Sequence, residues 1–276
     1  MLLLVALLLQ QTDTTLAVGP GSRLELSHFQ GEIRVTAWER GALRVRVRGG
    51  DEAGLDVTVS GNRVSVRLRN RYGPPEGDLA LQVPADMGLR ISGRSGNIAI
   101  AGTRADVTVE TVEGSISLQG GRGTISLSSV EGSIELADAS GRMDIHAVDG
   151  DVTGRRLAGD LKVESVDGEV TLREIESANA EVNTVDGDIQ YEGPLKAGGR
   201  YRLSSHDGDV TLVTPALDAT VTLSTFSGGF ESDFPVTVTR AELGKRMTFT
   251  QGSGSARVEL ESFDGDVRIR QAGRRP

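Results

Sequence analysis

The chain has 276 residues, 37% of them hydrophobic and only 4% aromatic, with 36 glycines, no cysteine and a formal net charge of −9. Its length suits one large domain or two small ones. The absence of cysteine excludes a disulfide framework, a thiolate zinc site, a cysteine nucleophile and a lipoprotein anchor, and the acidic balance argues against general nucleic-acid binding.

Residues Leu2 to Leu9 form an unbroken apolar run. It is too short to span a bilayer, which needs roughly 20 residues, and it fits the apolar region of a secretory signal. A polar break, Gln10 to Thr15, follows, with Ala17 and Gly19 in the zone where cleavage is expected. Residues 1–18 are therefore read as a signal peptide. The protein is expected to be exported, periplasmic or associated with the cell envelope, and to have no transmembrane span.

Residues 19–90 alternate but lack a regular rhythm and are read as an antiparallel β entry or cap region. Arg44, Arg46 and Arg48 interleave with Leu43, Val45 and Val47, and Arg63, Arg67 and Arg69 with Val64, Val66 and Leu68. Such rows either meet an anionic polymer or lipid surface or protect a sheet edge from pairing. Trp38 reads as a cap contact, and Pro74 and Pro75 as a loop.

From residue 91 to 232 one unit recurs: a small residue, an apolar residue, an acid, Gly, a polar residue, then apolar-x-apolar. It reads TVEGSISL at Thr111, SVEGSIEL at Ser129, AVDGDVTG at Ala147, SVDGEVTL at Ser165, TVDGDIQY at Thr184 and SHDGDVTL at Ser205. The repeat glycines are Gly96, Gly114, Gly132, Gly150, Gly168, Gly187, Gly208, Gly228 and Gly265, spaced 18, 18, 18, 18, 19, 21, 20 and 37. A regular period that loosens is the signature of stacked coils with tolerated insertions. Each coil has two short strands joined at an acid-Gly corner, where Gly accepts a positive φ. Val109, Val163, Val170, Ile189 and Val210 are expected inside, and the in-facing parity shifts across the corner, with Leu161 and Val163 odd and Val166, Val170 and Leu172 even. An antiparallel meander also contains Asp-Gly turns. An all-β parallel solenoid additionally explains why each column keeps one residue type. Residues 233–270 read as a strand-pair insertion, with Phe234–Val238 and Met247–Thr250 around a turn at Glu242 to Lys245, and a terminal repeat. Residues 271–276 form a tail.

Acids fill two columns. Glu113, Glu131, Asp149, Asp167, Asp186, Asp207 and Asp264 precede the corner glycines, and Asp151, Glu169, Asp188, Asp209 and Asp266 follow them. Stacked at about 4.8 Å, like charges repel by roughly 1 kcal/mol in water. Calcium, which takes oxygen ligands in loose geometry, is the cofactor that could be shared at Asp149, Asp151, Asp167, Glu169, Asp186, Asp188, Asp207 and Asp209. The alternative is that the acids cap turn amides and water screens the rest. A third column, Thr111, Ser129, Ser165, Thr184, Ser205, Thr225 and Ser262, could form a hydroxyl ladder. His206 sits in a slot held elsewhere by Val or Phe, and His28 and His146 stand alone. No metalloprotease, phosphate-loop or serine-hydrolase motif occurs, so no catalytic residue is expected.

The repeated SVDGDVTL-like array, closing with SARVELESFDGDVRI, resembles a bacterial family of adhesin-like proteins of unknown function built from repeated β-strands. The resemblance covers about residues 24 to 270. It implies an exported or envelope-associated β-solenoid with no catalytic residues to carry over. The expected function is a non-enzymatic binding or scaffolding surface whose partner is a cell-surface glycan or an envelope protein. A carbohydrate-active β-helix enzyme and an envelope regulatory or sensing module are the alternatives.

Overall fold

The computed structural model describes residues 5–9, 13–49, 54–69, 74–236, 240–242 and 246–273. Among them every regular element is a β-strand, and two compact units, Met1–Ala139 and Ser140–Pro276, divide the chain.

Both units are built as the repeat demands. In the second, strand Ala158–Glu164 runs to the Gly168 corner, strand Val170–Arg173 leaves it, and Asn179–Asp186 begins the next coil. Successive coils pair in parallel and in register, Val163 opposite Val182 and Val170 opposite Ile189. The first unit repeats this, with Val107 opposite Ile125 and Ile116 opposite Ile134. Equivalent side chains thus stand above one another, and the five residues expected inside, Val109, Val163, Val170, Ile189 and Val210, are all buried. The fold is a parallel β-solenoid with two strands per coil.

Alternation continues inward through Leu161, Val163 and Ser165, and resumes at Val170 and Leu172. Val166 is therefore not in-facing as its parity suggested: it points outward and is half exposed. The hydroxyl column takes the inward slot instead. Its members do not bond one another in a ladder. Ser205 Oγ donates to the Gly187 carbonyl at 2.9 Å, and Ser262 Oγ to that of Gly208 at 2.8 Å.

The corner itself explains the glycine column. Gly168 has φ of +128°, and a Cβ there would lie 2.6 Å from the carbonyl oxygen of Gly150. Only a residue without a side chain fits both the backbone conformation and the approach of the coil below. The opposite turn, six residues on, is less demanding. It is Gly102 and Gly120 in two coils, but Asp138, Arg156 and Glu174 elsewhere, each with φ between 53° and 58°.

The ends differ from the expected entry cap and simple terminal repeat. Arg23–Gln30 and Ile33–Trp38 form a full parallel coil around Gly31, and Arg63–Arg69 and Asp78–Pro84 form another around Gly77. The earlier coil lies inside the later one, because Arg23–Gln30 also pairs in parallel with Gly88–Ser95. Antiparallel strands do occur beyond these coils: Gly54–Ser60 pairs with Arg63–Arg69, and Ala42–Arg48 with Asp78–Pro84. The other end mirrors this. Ala256–Asp264, from the closing repeat, inserts in parallel between Arg200–Asp207 and Ala219–Thr225. The expected strand at Met247–Thr250 is Arg246–Gln251, which covers Ala219–Thr225, but its antiparallel partner is Arg240–Glu242 and not Phe234–Val238, whose described residues 234–236 are outside any strand. Val238, the turn residues Leu243 to Lys245 and the tail residues 274–276 lie outside the described residues. Antiparallel strands cover the last parallel ones in both sheets at the first end and in one sheet at the other, which blunts edges otherwise open to pairing.

Inside the second unit, Gly154 leaves a gap in a column of leucines, and the buried Leu157 fills it. Two coils on, Tyr191 takes the leucine slot and meets Tyr201 edge-to-face, centroids 5.9 Å apart. Burial pushes both phenols above their ordinary pKa. Tyr201 Oη donates to the Ser177 carbonyl at 2.8 Å and accepts from the Lys196 amide at 2.8 Å, whereas Tyr191 Oη is buried without a partner.

Two outcomes follow from this packing. Gly168→Ala should cost roughly 2–4 kcal/mol in urea unfolding, because it combines a strained backbone with a backbone clash. A wild-type midpoint would contradict the corner geometry. Tyr191→Phe should be neutral or stabilising by about 1 kcal/mol, since it removes an unpaired buried hydroxyl. Tyr201→Phe should destabilise by a similar amount or more. Equal losses for the two would refute the difference in their bonding.

Candidate binding surface

Four columns meet at the corner edge of the second unit. The first holds the residue two before each glycine: Val148, Val166, Val185, His206, Phe263 and Phe226, in order along the stack. The three valines are 46%, 47% and 50% exposed, and Phe226 is 67% exposed. The rings continue the row. His206 stacks on Phe263 and Phe263 on Phe226, both with centroids 4.8 Å apart, at 15° and 2°. The first unit has a shorter counterpart, where Arg94 lies 5.1 Å over the Phe29 ring and Val112 and Val130 are exposed.

Next to the apolar row stand Asp149, Asp167, Asp186, Asp207 and Asp264, all exposed. Beyond the glycines comes the second acid column, whose aspartates cap backbone amides. Asp151 Oδ1 accepts the Glu169 amide at 2.9 Å, Asp188 Oδ1 that of Asp209 at 2.7 Å, and Asp209 Oδ1 that of Asp266 at 2.7 Å. Glu169 instead accepts from the Thr171 hydroxyl at 2.7 Å. Arg268 bridges Asp209 and Asp266. Burial works to raise the Asp209 pKa, but the bonds from Arg268 and the Asp266 amide outweigh it and hold the carboxyl below its usual range.

Of the residues expected to share calcium, Asp167, Glu169, Asp186, Asp188 and Asp207 line one shallow recess of about 370 Å³, while Asp149, Asp151 and Asp209 do not. Among the described residues no group of three or more His, Asp or Glu side chains converges as a metal site. The capping role has a direct consequence. Asp188→Ala should cost about 1 kcal/mol and Asp188→Asn almost nothing, because the amide oxygen can take over the cap. Millimolar calcium should raise Tm no more than sodium chloride of equal ionic strength. A larger rise that Asp167→Asn with Asp186→Asn abolishes would establish ion sharing instead.

The arginine rows of the first unit are partly paired with carboxylates. Arg44 and Arg46 both bond Asp13, Arg44 at 2.6 Å, and hold its carboxyl down to about 2. Arg69 pairs with Asp56 at 2.6 Å and Arg63 with Glu25 at 3.1 Å. Trp38 Nε1 donates to the Ala42 carbonyl at 2.7 Å, closing its own turn. His146 lies between Asp144 and Glu164 on the outer face of the second unit. His28 fills the hydroxyl slot of its coil, where burial lowers its pKa.

The outer face of the second unit also carries a recess of about 670 Å³, where Arg142, Lys162, Arg200 and Arg202 alternate with Asp160 and Glu181. A sequence reading that treats the acid-glycine motif as the site misses both features.

The family model described as Toastrack DUF4097 matches residues 21–270. The chain belongs to this family. No curated protein matches it. A solved structure from Clostridium sporogenes, described provisionally as a cell adhesion protein, is 9% identical, with 94% of this chain and 98% of that one covered. Its TM-score is 0.31, and at that similarity it bears on neither the fold nor the function of this Toastrack chain.

Proposed function

We propose that this Toastrack protein is a non-enzymatic component of the cell envelope, exported and used as a rigid binding or scaffolding surface. The exposed apolar row at the corners supports this most directly. A stacked solenoid can hide its apolar residues inside, and soluble proteins rarely leave contiguous apolar surface open without a use. The repeat holds the row straight, so a partner meets preorganised side chains and little ordering entropy is lost on binding.

No described helix is long and apolar enough to cross a membrane. Export rests on the apolar run Leu2 to Leu9, of which Val5–Leu9 pairs antiparallel with Gly54–Ser60. Cleavage within residues 15–22 would remove that strand, take Asp13 from Arg44 and Arg46, and open a row of backbone groups. A carbohydrate-active enzyme is the second reading, favoured by the outer-face recess, where cations and carboxylates alternate as an external polysaccharide groove requires.

The test combines three measurements on protein from the native host. Mass spectrometry should find a mature chain beginning past residues 15–22. Labelled protein should bind isolated host envelopes saturably. A panel of acidic and neutral polysaccharides should yield no new chain ends. An intact Met1 on cytoplasmic protein, or turnover of any polysaccharide that Arg200→Ala abolishes, would overturn the reading.

A further inference from the structure

The row of apolar side chains and the acid column beside it form one composite surface. We infer that it binds a cationic amphipathic helix of another polypeptide, laid along the stack. The inference rests on the binding-surface reading above and names the partner's chemistry.

Ring geometry limits what the row can hold. Phe263 is sandwiched between His206 and Phe226, so neither of its faces is free. The stack presents ring edges, with Phe226 at its outer end 67% exposed. A platform for flat ligands needs open faces, whereas a ridge of ring edges and valine methyls suits the side chains of a second apolar row. Charge then selects the partner. Asp149, Asp167, Asp186, Asp207 and Asp264 run beside the row, all exposed. Lys or Arg flanking the partner's apolar stripe would meet them and relieve the repulsion between stacked carboxylates.

Spacing selects the conformation. Coils repeat at about 4.8 Å, so six positions span about 24 Å. An α-helix returns the same face every 5.4 Å or so, slipping about 0.6 Å per coil and about 3 Å over the row. An extended strand returns its face only every 6.8 Å or so and falls out of step within two coils. A helix of about 16 residues matches the length of the row.

The probe is a 16-residue peptide with Leu at helical i, i+3, i+4 and i+7 spacing and Lys elsewhere. Its affinity for the full chain is measured by fluorescence anisotropy. Two controls accompany it: a scrambled peptide of the same composition, and the same pattern with Glu in place of Lys. Saturable binding should occur with the patterned Lys peptide and weaken as salt rises. Phe226→Ser with Phe263→Ser should weaken it about tenfold or more, and so should Asp186→Asn with Asp207→Asn. The exposed positions should leave Tm nearly unchanged. Should either aromatic substitution disturb folding, Val185→Ser serves in its place. Equal binding of the scrambled peptide, or no loss in correctly folded variants of either column, overturns the proposal. Saturable envelope binding that still depends on Phe226 and Phe263 while the peptide fails would discard the helical partner and leave the binding surface standing. Envelope binding indifferent to those residues would remove both.

Discussion

The close approach of one corner to the next governs this structure. From Gly96 to Gly208 the corner glycines have φ between +128° and +146°, and a Cβ on Gly168 would run into the carbonyl oxygen of Gly150. The Gly168 amide donates to the Asp186 carbonyl at 3.0 Å, and the Gly187 amide to that of Asp207 at 2.8 Å. In four coils the buried hydroxyl three residues before the glycine, at Ser129, Ser205, Thr225 and Ser262, also donates to a corner carbonyl of the neighbouring coil. One tight backbone site thereby fixes the register of every pair of coils. Because the strand period is two, fixing register also fixes which side chain faces out.

The outward columns are a by-product of that constraint. The residue two before the glycine is forced outward and stacked on its counterparts, whatever it is. Valine there is half hidden by its neighbours. Aromatic rings there become a continuous stack, from His206 through Phe263 to Phe226. The carboxylate one position later is also forced outward, next to the apolar row. The one after the glycine is drawn into capping the next coil's amide. Identical-looking acids on the two sides of Gly187 thus do different work: Asp188 is structural and Asp186 faces solvent.

Much of this is legible in the sequence. Four equal spacings of 18 gave the coil, and the alternation of Val163 with Val170 across the corner gave the inside. The outward Val166 was also readable, since period two carried through Ser165 puts it outside, but an apolar residue beside an inward run invites the opposite reading. The end coils were harder. Gln30-Gly31-Glu32 and Glu76-Gly77-Asp78 are copies of the corner separated by 46 residues, with antiparallel strands between them, so no short period reveals them. Their spatial order, with the Gly31 coil inside the Gly77 coil, depends on which edge is left unpaired, and local sequence does not encode that. The same holds for the closing repeat, whose coil passes between its two predecessors.

The position of that closing coil is the account's most exposed claim, because it alone brings Phe263 between His206 and Phe226. The absence of cysteine allows a direct measurement: oxidative cross-linking of engineered cysteine pairs, scored by mass spectrometry of the unreduced protein. Adjacent coils stand at about 4.8 Å, within disulfide reach, and alternate coils at about 10 Å, beyond it. His206→Cys with Phe263→Cys, and Phe226→Cys with Phe263→Cys, should each form a disulfide in the folded protein, while His206→Cys with Phe226→Cys should remain reduced. A disulfide in the last pair and none in the first would place the coils in sequence order and dismantle the aromatic row.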